Sequence, residues 1–280
     1  MRTLRSDWLA VFCLNPHHDT MGTTMTATAI LLLAATALAG SNVDRPPFLV
    51  VGRDPAPGLL VNLSAGARPF DPPDPSRPTL IFVQGVNPAS FVVHLTMAEQ
   101  FAAAVALREA GRCNVLAWKW NIISPHPRVN REWAVTQGGR LAAAMIGARL
   151  TAHRVQIVGQ SLGCVIAASA TRVLRDTTGA RVQRLTLLDP AAFYHDIIFD
   201  RMGAGTTAAS VEHYWAPGPS GYSRAVHREG VWNFRVDVPS PVIGIVSMPR
   251  SAHWRVVHWY IETVENANAS GGYNMRPPVR

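Results

Sequence analysis

Two rhythms of apolar positions alternate along the chain. Short β-branched and apolar runs recur at residues 79–83 (TLIFV), 114–118 (NVLAW), 155–158 (VQIV) and 185–188 (LTLL). Such runs are too short for helices and suit strands buried on both faces. Between them, residues 91–110, 130–153 and 162–174 carry helical patterns, the second with Gly138 and Gly139 as a close-packing face. Residues 210–215 and 231–238 read as further strands. Residues 254–264 read as a last helix with Val256, Val257, Tyr260, Ile261 and Val264 on one face. Strands alternating with helices predict an α/β domain, a mostly parallel central sheet covered by helices on both faces. Pro/Asp-rich stretches at 54–58 and 71–78 read as turns ahead of it. No repeat or linker divides the pattern, so we expect one domain over residues 40–270 and a flexible basic tail over 271–280, with Arg276 and Arg280.

Residues 27–39 (ATAILLLAATALA) are apolar throughout. Thirteen residues are too few to span a bilayer but fit the core of a secretory signal, and Ala37-Leu38-Ala39 is a small-x-small cleavage pattern. Residues 1–39 are therefore expected to be a leader, giving a secreted or periplasmic protein that begins at Gly40. From Met21 or Met25 no Lys or Arg precedes the run; a disordered leader on a cytoplasmic protein, or a start assigned too early, is the other reading.

At 48% apolar and 16% charged, the chain is globular in composition, neither disordered nor a membrane bundle. The net charge is +8, carried by arginines scattered singly around one lysine, Lys119. Nucleic-acid footprints are clustered, so no nucleic-acid partner is expected, and membrane contact is peripheral at most. Three cysteines, Cys13, Cys113 and Cys164, exclude a disulfide scaffold and a four-cysteine zinc site. Cys113 and Cys164 are expected to stay unpaired. No metal or cofactor is expected.

Gly159-Gln160-Ser161-Leu162-Gly163 is a G-x-S-x-G pattern between a buried strand and an Ala-rich helix. That setting makes Ser161 the candidate nucleophile. A strand-to-helix turn holds the serine in a strained backbone conformation with its hydroxyl exposed, and the flanking glycines let neighbouring elements close in. The Leu162 amide then heads the helix, where it can bind an oxyanion. A serine needs a base, and the base an orienting carboxylate, in chain order Ser, acid, His. Asp189 ends the next strand, 28 residues on, at the sheet edge where active sites form; Asp196 and Asp200 lie farther into the loop. Of the later histidines, His195 is too near the acid, His213 falls in a strand and His227 in a polar loop. His253 stands in a loop before the last helix and is the candidate base, ahead of His258 inside that helix. The loop Gln84-Gly85-Val86 after the first long strand would offer the Val86 amide as the second oxyanion donor.

Together these segments resemble the pancreatic-lipase-like branch of the α/β-hydrolase family, over about residues 78–264. VQIVGQSLG is similar to the family's serine segment, RLTLLDPA to its acid strand and SAHWR to its histidine segment. NVLAWKW, Trp133 and LAAAMIGARL resemble the strand and helix before the nucleophile. The resemblance implies an α/β-hydrolase fold, a Ser161–Asp189–His253 triad and an oxyanion hole from Val86 and Leu162. Where the family often has His-Gly, this chain has Gln84-Gly85, so the oxyanion loop is expected to be held differently.

Only 63 residues separate Asp189 from His253, too few for a large lid beside two strands. The segment 192–200 carries Phe193, Ile197, Ile198 and Phe199, which line an acyl pocket or else form a buried structural loop. The expected function is hydrolysis of short- to medium-chain, lipid-like carboxylic esters. An acyltransferase or thioesterase would use the same triad, and a non-catalytic surface or binding protein could keep the fold.

Overall fold

A computed structural model describes residues 58–85, 96–121, 127–217, 223–237 and 252–274. All of them fall in one compact unit, Arg45–Arg280; the other unit, Met1–Asp44, and with it the expected leader, lies outside the described residues.

Among the described residues, seven strands form one sheet: β1 (Leu59–Asn62), β2 (Thr79–Val83), β3 (Asn114–Lys119), β4 (Val155–Gln160), β5 (Val182–Leu188), β6 (Ala208–Trp215) and β7 (Val231–Arg235). Their spatial order is β1-β3-β2-β4-β5-β6-β7. Every pairing is parallel except β1 with β3. Strand alternation sends side chains to the two faces in turn. On β2, Ile81 and Val83 face one core, shared with α2 (Pro127–Gly147) and α3 (Gly163–Thr178). Leu80 and Phe82 face the other, shared with α1 (Thr96–Glu109) and α4 (Ala252–Glu265). This two-sided burial is why the strands read as continuous apolar runs. The mostly parallel sheet, its antiparallel edge strand and the helices on both faces are the α/β-hydrolase arrangement.

Several boundaries differ from the sequence reading. β1 escaped it: four residues beside Gly58 give little period to read, and the strand is fixed by pairing with β3. The second helix ends at Gly147, earlier than residue 153, because Arg149 turns the chain at φ 57°. Gly138 does make a close approach, since a Cβ there would meet Ser169 Cβ at 2.4 Å; Gly139 faces open space. Residues 272–274, expected to belong to a flexible tail, are docked instead, and residues 275–280 lie outside the described residues. Arg184 donates to the carbonyls of Gly272 (3.0 Å) and Tyr273 (3.1 Å), and the Tyr273 amide donates to Thr263 Oγ1 (2.9 Å). Arg184 is itself anchored at 2.6 Å on buried Glu212, so the turn Gly272–Asn274 docks on a buried ion pair. Cys113 and Cys164 are free and buried.

The chain leaves β2 toward β3 on one side, then returns to place β4 on the other side of β2. Crevices at the carboxyl ends of strands form at such switch points. Here the ends of β2 and β4 carry Gln84-Gly85 and Ser161.

Candidate active site

Ser161 leaves β4 with φ 54°, a left-handed conformation that costs a serine energy and is held by its surroundings. Its amide continues the ladder to Leu188 O (3.0 Å), while its carbonyl accepts from Cys164 N (3.0 Å) to begin α3. The glycines on either side explain how the turn fits. A Cβ on Gly163 would lie 2.1 Å from Val83 O, and one on Gly159 would lie 2.8 Å from Cys164 Cα. The helix thus starts against the end of β2, with Leu162 as its capping residue at φ −62°. Amides of a helix's first turn have no acceptor within the helix, which suits the Leu162 amide to a developing negative charge. Ser161 differs from expectation in retaining only 5% of its surface. Gly85 presses on it: a Cβ there would come within 2.6 Å of Ser161 Cβ.

Asp189 repeats the device one strand over. It has φ 48°, and its amide bonds Tyr214 O (2.8 Å) at the end of β6. The positive φ turns its carboxylate along the sheet edge. Oδ1 accepts from the Ala216 amide (3.1 Å), and Oδ2 lies 2.8 Å from His253 Nδ1. Side-chain exposure is 2% for Asp189 and 13% for His253, so the pair sits largely out of water. The structure places His253 in the first turn of α4 rather than in a loop before it, because the helix begins at Ala252. His258 is exposed farther along the same helix.

The residues after β2, Gln84 and Gly85, are fastened from two sides. Trp120 Nε1 donates to Gln84 O (3.0 Å), and the Gly85 amide donates to Gln160 Oε1 (2.8 Å). Val86 lies outside the described residues. The other amide end of Gln160, Nε2, is 2.9 Å from His253 Nε2. Sequence reasoning passed over Gln160 as the variable position of the motif. Alternation was the available signal: Gln160 shares its face of β4 with Val158, which packs toward α1 and α4.

Three of the four apolar residues expected after Asp189 are buried in the core, as in the structural-loop alternative. Residues 192–194 make a 3-10 turn and Asp196–Arg201 one turn of π-helix. That winding turns Ile197, Ile198 (both 0% exposed) and Phe199 (6%) into the core, while Phe193 (56%) faces solvent. Asp196 pairs with Arg131 (2.9 Å) and Asp200 with Arg228 (2.8 Å), both at the surface. His195 and His213 belong to a separate buried cluster with ring centroids 5.4 Å apart. Among the described residues no group of acids, histidines and cysteines could hold a metal ion.

No family model and no curated protein matches the sequence. Among solved structures, the chain is similar to an esterase from Pyrobaculum calidifontis at 14% identity and a TM-score of 0.43, covering 88% of this chain and 95% of that one. It is also similar to a fungal esterase from Rhizomucor miehei (13%, TM-score 0.44, 86% and 90%). A third is the esterase LipW from Mycobacterium marinum (15%, TM-score 0.38, 85% and 86%). The fold itself is fixed by this chain's own sheet order and by the turn at Ser161.

Proposed function

We propose that the protein is a serine hydrolase of carboxylic esters, with Ser161 as nucleophile, His253 as general base and Asp189 as its orienting acid. One observation carries this reading: the 2.8 Å contact between His253 and Asp189 lies at the sheet edge where Ser161 is held in its strained turn. Asp189 fixes the imidazole with its proton on Nδ1, which leaves Nε2 to take the Ser161 proton as Oγ attacks the ester carbonyl. The tetrahedral oxyanion is bound by the amides of Leu162 and Val86, each such donor contributing about 10²–10³-fold in rate. His253 returns the proton to the leaving alcohol. Water then attacks the acyl-enzyme by the same route.

The substrate class we propose is short- to medium-chain, lipid-like esters, dissolved or micellar. The described residues between Asp189 and His253 include the 3-10 and π turns, a helical turn at Ala204–Thr207, β6 and β7, with irregular chain between them. Phe193, its ring tilted against Tyr194 with centroids 4.2 Å apart, remains the exposed apolar residue of the expected acyl set. Export through the 27–39 segment belongs to the same proposal; amino-terminal sequencing of secreted protein should begin at Gly40. The test of the reaction is a p-nitrophenyl ester panel from acetate to palmitate, with a phospholipid and a triglyceride. Turnover of the middle of the series, without a sharp rise at the critical micelle concentration, is expected. No turnover of any ester would overturn the reading.

A further inference from the structure

Gln160 touches both halves of the proposed machinery, and its amide can do so in only one orientation. The Gly85 N–H is an obligate donor, so the atom 2.8 Å from it must be the carbonyl Oε1. Nε2, a donor, must then face His253 Nε2 at 2.9 Å. That imidazole nitrogen must therefore be the acceptor, with the ring proton on Nδ1 and donated to Asp189 Oδ2 at 2.8 Å. A single ordered run of donors and acceptors joins the loop after β2 to the carboxylate after β5. Gln160 is 1% exposed, so water does not compete for these bonds.

The geometry points to Gln160 as a positioning residue that braces the Gly85 loop against Ser161 and holds His253 in the tautomer a general base requires. This deepens the proposed reaction and rests on it. Gln160 does not react. It sets where the Gly85 loop and the imidazole stand before substrate arrives, and its N–H must leave the Nε2 lone pair for Ser161 to use it. Misplacing either group by about 1 Å costs on the order of 10²-fold in rate.

Two near-isosteric variants separate its two contacts. Gln160→Met removes both; Gln160→Glu keeps an acceptor for Gly85 but offers no N–H to His253. Ring-¹⁵N-histidine NMR, with the His253 signal assigned by its loss in His253→Phe, reads the imidazole. Amide exchange reads Gly85. In Gln160→Met, Gly85 exchange should speed up at least ~10-fold, and kcat should fall ~10–100-fold with KM within about 3-fold. In Gln160→Glu, Gly85 should stay protected while His253 Nε2 moves toward its protonated signature. Unchanged Gly85 exchange in Gln160→Met, or an unchanged His253 signal in Gln160→Glu, would overturn the inference. So would a loss in Gln160→Met confined to KM. Wild-type protein that hydrolyses no ester sinks the proposed function instead, and the two NMR signals still decide the placement of Gln160.

Discussion

Asp189 grips His253 with one carboxylate oxygen and the Ala216 amide with the other, at 2.8 and 3.1 Å. The amide bond fixes the plane of the carboxylate, and the carboxylate fixes the ring. Both depend on Asp189 sitting at φ 48°, which aspartate and asparagine tolerate better than most residues.

Asp189→Asn therefore keeps the backbone and the Ala216 contact but presents an N–H₂ to His253 Nδ1. The imidazole is driven to the wrong tautomer. We expect kcat to fall by roughly 10³–10⁴-fold with the melting temperature nearly unchanged. Parallel kinetics and thermal melts check both halves.

His253→Ala should abolish turnover, whereas His258→Ala, exposed on α4, should leave most of it. Steady-state rates on one soluble ester decide between them. Full activity in His253→Ala would remove the base from this position.

Strands β2 to β7 were legible, and Ser161 and Asp189 stood out as candidates, because each has a local signature; β1 has none. Buried parallel strands are unbroken apolar runs, Ser161 lies between glycines that the packing demands, and Asp189 ends a strand. What was not legible depends on winding or on partners far away in sequence. Nothing in residues 192–200 announces the π turn that buries Ile197 and Ile198, so their apolar pattern left an acyl pocket and a structural loop equally open. Gln160 acquires its meaning only from Gly85, 75 positions before it, and His253, 93 after it. Tyr273 looks like tail until Arg184 is seen to hold its carbonyl.

The glycine pairs should separate packing from flexibility. Gly163→Ala drives a Cβ to 2.1 Å from Val83 O, a backbone atom that cannot yield cheaply. It should destabilise by about 3 kcal/mol or more, as overpacking does. Gly139→Ala meets nothing within 4 Å and should stabilise by about 0.5–1 kcal/mol, because alanine favours the helix. Urea denaturation of the two variants reads the difference.

His213 sets a pH dependence of stability. Burial pushes its imidazole down from 6.5 to about 4, against the hydrogen bond to Asn233 that pulls it up. The native state thus holds His213 neutral where the unfolded chain has taken up a proton. Stability should be intact above pH 6.5 and fall as pH drops toward about 4, by roughly 3 kcal/mol from this one group. Denaturation midpoints across that window should slope less in His213→Gln than in the wild type. Equal slopes would show that His213 does not control the acid limb.

The most direct measurement is covalent labelling by a fluorophosphonate probe, read by mass spectrometry of the peptide containing Ser161. A phosphonylated serine requires an activated hydroxyl, whatever the natural substrate. One adduct on Ser161 is expected in the wild type, none in a folded Ser161→Ala, and sharply slower labelling in His253→Ala. No adduct on the wild-type protein, or the same adduct in Ser161→Ala, would contradict the assignment of an activated serine at the end of β4.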